Sequence, residues 1–200
     1  IQGFVINCVA NSEGARVEIY LGKASQELNK KAYDYYWNLL KDNYQKHTMR
    51  KECIAGDLLN MYLAYNVPFT SKRNRLLEQM IFRGKQMFLL SKLLPDDPSW
   101  EIIGYTKEQW QWCERYEQAI WSRIMENKDL FKTKSVTLAS YLNDGPFTAE
   151  VSQESPGRLG IWVGWRIVES YMRNNEHVTI QELMCEGDAQ KILEQSFYKP

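Results

Sequence analysis

Two hundred residues, 44% of them apolar and seven of them Trp, suffice to close one hydrophobic core, so a disordered chain is excluded. The 25 basic and 25 acidic side chains cancel, which leaves no global field to collect nucleic acid or an anionic membrane. No apolar run reaches the roughly 18 residues that a membrane-spanning helix needs.

The chain opens on Gly3-Phe4-Val5-Ile6-Asn7-Cys8, an apolar run before a cysteine. A lipoprotein leader would need a basic start, a longer apolar stretch and a small residue where Asn7 stands, so the run reads as a buried strand. Opening without Met, in mid-strand, it reads as a fragment whose N-terminal portion is missing. Phe4 to Ala10 is continuously apolar, and Val17, Ile19 and Leu21 alternate with Glu18 and Tyr20 across a turn at residues 11–14, which predicts a hairpin.

After Gly22 the period becomes helical. Ser25 caps a helix to about Gln45, a second runs from Lys51 to Tyr65 and stops before Pro68, and a third runs from Ser71 to Leu94 before Pro95. Residues 96–104, with Pro98 close behind Pro95, read as a loop. Thr106 and Gln109 form a capping box for a helix with Trp110, Cys113, Tyr116, Ile120 and Ile124 on one face. A shorter helix covers Ser135 to Leu142. Ser155-Pro156 reads as the start of a helix reaching Arg173, because proline in the first turn forfeits no needed donor. Helices near Thr179–Cys185 and Asp188–Gln195 finish the chain.

Cys8, Cys53, Cys113 and Cys185 lie 45, 60 and 72 residues apart, without zinc-ribbon or redox spacing, and each among apolar neighbours reads as a buried thiol outside any disulfide framework. His47 sits at a helix end and His177 in a polar turn, 130 residues apart, so neither has an imidazole partner for a metal site. No Gly-x-Ser-x-Gly elbow is present.

Gly157, Gly160 and Gly164 recur at three- and four-residue spacing on one helix, where each interior glycine costs about 1 kcal/mol against alanine. The structural reading is close helix packing. The functional reading is an anion or partner site at the helix start, formed by Glu154, Ser155 and Arg158 with Asp144, and by Trp162 and Arg166 further along. Arg158 has a competing use in an internal pair with Glu154 or Asp144. Trp110, Trp112 and Trp121 cannot all face one way on a helix, so one is expected to be less buried and available to a partner.

Several segments, taken in order, carry a resemblance. They are 79–85 with Leu93-Leu94-Pro95-Asp96; 103–109 with Trp112-Cys113 and 117–121; Pro146-Phe147-Thr148, then 154–160, then Trp165-Arg166-Ile167-Val168 with Tyr171-Met172; and the tail Ala189-Gln190-Lys191-Ile192 with Tyr198-Lys199-Pro200. Their order and spacing resemble the gliding-motility lipoprotein B family over about residues 15–200. The resemblance implies a bacterial envelope lipoprotein on the periplasmic face, tethered through an acylated cysteine outside this chain. It also implies a distant similarity to zinc peptidases with His-Glu-x-x-His on one helix and Glu-Gly on the next. Here the corresponding places hold Gly56-Asp57-Leu58-Leu59-Asn60 and Arg83-Gly84, so the ligand set is missing.

The expectation is one domain over residues 1–200. It is α+β and predominantly helical, with a small N-terminal antiparallel sheet followed by a bundle of about seven helices in a degenerate zincin-like arrangement. The expected function is a non-catalytic envelope lipoprotein domain acting through contacts with envelope proteins, without cofactor, metal or nucleic acid. The alternatives are a degenerate or atypical zinc-peptidase-like hydrolase and a small-anion-binding envelope protein.

Overall fold

A computed structural model describes residues 4–11, 14–21, 54–69 and 71–200. The chain divides into two compact units, Ile1–Lys46 and His47–Pro200. In the first, β1 (Phe4–Asn11) and β2 (Gly14–Leu21) form a two-stranded antiparallel ladder in which Cys8 pairs with Val17 and Asn11 with Gly14. The helix expected from Ser25 to Gln45 lies outside the described residues.

The second unit contains α1 (Ile54–Asn66), α2 (Leu76–Leu93), α3 (Ser99–Ile103), α4 (Lys107–Arg115) and α5 (Glu117–Glu126). A 3-10 turn at Asp129–Phe131 leads to α6 (Ser135–Leu142), α7 (Leu159–Asn174), α8 (Ile180–Cys185) and α9 (Ala189–Ser196). The expected α+β class is thereby corrected. Among its described residues this unit has no strand, only an isolated bridge between Thr148 and Ser152, and its core is built from helices alone. The ladder stands in the other unit, as a two-stranded sheet among the described residues.

Nine α-helices occur among the described residues, against the expected seven or so, and two local effects account for the excess. Residues 96–104 are not all loop. Pro98, at φ −66° and ψ 144°, is already in the extended conformation of an N-cap, its carbonyl accepts from the Glu101 N–H at 2.9 Å, and Gly104 at φ 79° ends the turn. The helix opened by Thr106 is divided at Tyr116, which has φ −107° and ψ 14° and is exposed, where the periodicity put it on the apolar face. The next residue, Glu117, accepts from Arg166 Nε at 3.0 Å and from the Tyr198 hydroxyl at 2.9 Å, so tertiary hydrogen bonds set the joint.

Two helix starts also move. α2 begins at Leu76 rather than Ser71, because the Glu78 carboxylate accepts from both the backbone N–H and the guanidinium of extended Arg75. The Leu76 N–H also donates to the Lys132 carbonyl at 2.9 Å, which pins the start to the 3-10 turn. The helix expected from Pro156 begins at Leu159, for reasons that belong to the site.

The centre of the helical unit is α7. Leu159 to Trp165, Ile167, Val168 and Tyr171 are all buried, so the first two turns are enclosed on every side, while Arg166, Glu169 and Arg173 give the later turns a polar edge. It packs on Leu76, Leu77, Met80 and Ile81 of α2 and on Ile192 of α9, with Trp110 of α4 edge-on to both Trp162 and Trp165 at 6.1 and 5.5 Å. At the α2–α7 crossing the backbones touch. A Cβ on Gly164 would lie 2.0 Å from the Met80 carbonyl oxygen, and one on Gly84 would lie 2.3 Å from the Gly164 carbonyl. Gly160 meets α6 more loosely, with Tyr141 Cβ and carbonyl at 3.0 Å.

Candidate functional site

The loop before α7 is held by its own short polar side chains. Thr148, fully buried, donates from its N–H to Ser155 Oγ at 3.0 Å and from Oγ1 to the Pro156 carbonyl at 2.9 Å, and Oγ1 accepts from the Leu159 N–H at 3.4 Å. The Ser155 hydroxyl donates to the Ser152 carbonyl at 2.7 Å. Ser155 is therefore tied inside the loop instead of capping a helix at Pro156, and Thr148 supplies the partner for the first helical N–H. The Tyr105 hydroxyl donates to the Gly157 carbonyl at 2.7 Å, and a Cβ on Gly157 would fall 2.4 Å from the Gly145 carbonyl oxygen.

Arg158 closes this loop in the left-handed region, φ 59° and ψ 21°, a strained conformation for an arginine that its surroundings impose. Its guanidinium is half-buried, with Nε 3.6 Å from the carboxylate of exposed Asp144. Partial burial and then the like charge of Arg158 lower the pKa of Arg83, so the two guanidinia are near enough to repel.

The six residues expected to form one site separate into three groups. Arg158 and Asp144 meet at the corner just described. Glu154 is exposed on the loop, its N–H bonded to Ser152 Oγ, whereas Ser155 is buried. Trp162 is enclosed in the core, where no partner can reach it, and Arg166 lies 5.9 Å over its ring. Arg166 is also paired to Glu117 at 3.0 Å and Glu169 at 2.8 Å. Burial alone would lower the Arg166 pKa, but the hydrogen bond and charge of Glu117, with Glu169, more than offset it and the net direction is up. Burial raises the Glu169 pKa against the pull of the same arginine. This is an internal tie between the α4–α5 joint, α7 and the C-terminal Tyr198.

Sequence reasoning passed over Lys85. It lies on α2, 6% exposed, and its ammonium donates to the backbone carbonyl of Glu186 at the end of α8. Burial, partly countered by the charges of Glu186 and Cys185, lowers its pKa from 10.5 to about 8. Lys85 borders a cleft of about 300 Å³ between the α1–α2 connection, α2 and the α8–α9 connection, walled by Val67, Phe69, Ile81, Phe82 and Met184. The signal was available: Ile81, Lys85 and Phe88 share one helical face in a stretch otherwise apolar on that side. Cys185 also lines the cleft and is exposed, correcting the expectation that every cysteine is buried; it is the last residue of a helix of six, where the chain turns outward. Cys113 is buried in the core, which pushes its thiol pKa up.

The zinc-peptidase arrangement does not fit these residues. The α1 segment 56–60 has no imidazole, and Arg83-Gly84 on α2 puts a guanidinium against Gln86 and a glycine into the α7 crossing. His177 is exposed, and among the described residues no group of three or more His, Cys, Asp or Glu is placed to hold a metal ion.

Fold and site together define a helical domain organised round one buried helix, with a cationic corner on its surface. The family model described as gliding motility protein GldB matches residues 14–200, and the chain belongs to that family of gliding-motility lipoproteins of the cell envelope. No curated protein and no solved structure matches it.

Proposed function

We propose that this chain is a non-catalytic domain that acts at the periplasmic face of the envelope through protein contacts, tethered by a lipid anchor outside residues 1–200. Because the family match runs across both compact units, we read them as one functional domain. The observation that carries the contact reading is the corner at Arg158. The buried Asp129 carboxylate finds its partners within the fold, where the Tyr141 hydroxyl donates to it at 2.5 Å and Lys132 pairs with it. Arg158, by contrast, is held by a strained backbone on a braced loop, feels the charge of Arg83, and among the described residues has a long contact to an exposed aspartate as its ion pair. A half-buried guanidinium held in place on a loop, with a second guanidinium near enough to feel its charge, suits a partner's carboxylates, which arginine can grip in bidentate fashion.

In-cell photocrosslinking from position 144 tests this in a host that carries the protein. A defined adduct is expected, and it should disappear when Arg83 and Arg158 are both changed to Glu in a protein that still folds and reaches the envelope. An adduct indifferent to the charge reversal sinks the reading.

A further inference from the structure

The cleft beside Lys85 has a chemistry of its own, independent of the Arg158 corner. One of the three ammonium N–H groups is taken by the Glu186 carbonyl. The neighbouring carboxylates are already engaged: Glu78 by Arg75, and Glu186 by Lys191 and the Asp188 N–H. No side-chain carboxylate is hydrogen-bonded to Lys85 among the described residues, so a cation 6% exposed has one neutral carbonyl as its hydrogen-bond partner, and the charge of Glu186 offsets only part of the cost of its burial. A buried charge in that condition favours an anionic partner strongly, because the partner replaces lost hydration.

The walls specify the rest of that partner. Phe69 and Phe82 stand edge-to-face at 5.3 Å, with Ile81 and Met184 also lining the cleft. A volume of about 300 Å³ lies at the small end of ligand sites. A dianion would meet Glu78 and Glu186 on the same walls, whereas a single negative charge is balanced by Lys85. We propose that this cleft binds a small monocarboxylate with an apolar tail, its carboxylate on the Lys85 ammonium and its tail against Phe69, Ile81, Phe82 and Met184.

The charge on Lys85 is lost as pH rises through about 8, so binding should weaken over that range. The other charged or titratable groups facing it are Glu78 on α2, Cys185 and Glu186 at the end of α8, and Lys191 on α9. The full chain is titrated with octanoate, octan-1-ol and octylamine by calorimetry at neutral pH and above pH 9. Octanoate is expected to saturate one site at least about tenfold more tightly than octanol at neutral pH, as a charge-assisted hydrogen bond supplies. That preference should fade at high pH and vanish in Lys85→Met. On the unaltered protein, octanoate should also slow acetylation of Lys85 by trace acetic anhydride, read by mass spectrometry against exposed Lys107 and Lys128. No saturable octanoate binding, equal binding of octanol, a preference that survives Lys85→Met, or acetylation of Lys85 unaffected by octanoate would each overturn the proposal.

Discussion

Lys85 shows what one buried ammonium does to a small domain. Its folded pKa of about 8 lies below the value of 10.5 that it has when exposed, so between those values the unfolded chain binds more protons than the folded one. Stability therefore rises with pH across that window, and the penalty for burying the charge is present in full below about pH 8. Lys85→Met keeps the length and removes the charge. It should raise stability at pH 7 by about 1–3 kcal/mol, the lost Glu186 hydrogen bond offsetting part of the gain. The advantage over the parent should shrink as pH climbs from about 8 to 10.5, and urea melts of both proteins at pH 7 and pH 10.5 measure it. A parent that keeps a destabilising lysine is trading stability for a site.

At the scale of elements, the decisive contact is the crossing of α2 and α7. Glycine spacing on α7 suggested close packing, but it did not rank the positions or show what they meet. Gly164 faces backbone: any Cβ there must displace the Met80 carbonyl, and backbone cannot rotate away as a side chain can. Gly160 faces Tyr141 at 3.0 Å, where α6 has to give by only a few tenths of an ångström. Gly164→Ala should therefore cost more than about 3 kcal/mol or prevent folding, and Gly160→Ala about 1 kcal/mol or less, helix propensity offsetting part of the crowding. Gly160→Leu falls between the two, at about 1–3 kcal/mol. Thermal melts of the three variants give the order, and a Gly164→Ala protein as stable as the parent removes the account. Gly84 is the counterpart on α2, and nothing in its local sequence distinguishes a helix-crossing glycine from one tolerated by chance.

For the helical unit as a whole, the closing contact comes from the C-terminus. Tyr198 is buried edge-on against Trp121 at 5.1 Å and donates to Glu117, which also receives Arg166. Tyr198→Phe removes the hydrogen bond and should cost about 0.5–1.5 kcal/mol, whereas Tyr198→Ala also opens a cavity and should cost about 2–4 kcal/mol. Chemical denaturation of the two variants separates the polar share from the packing share. A larger effect from Phe than from Ala contradicts this arrangement.

Local chemistry was legible in the sequence wherever a short segment decides for itself. The Thr106–Gln109 capping box and the helices at Ser135–Leu142 and near Thr179–Cys185 are each settled by residues within one or two turns. The ordered motifs also sufficed to indicate the family that the match over residues 14–200 shows. The remaining features turn on partners far along the chain. Thr148 takes Ser155 into a loop, Glu117 divides a helix to reach Arg166 and Tyr198, and Glu186 meets Lys85 across 101 positions. The α+β expectation failed for a related reason. An alternating segment reveals a strand, but it does not reveal that the helical unit, among its described residues, holds no strand of its own. Periodicity states which face of an element is apolar, and the identity of what covers that face is a property of the folded chain alone.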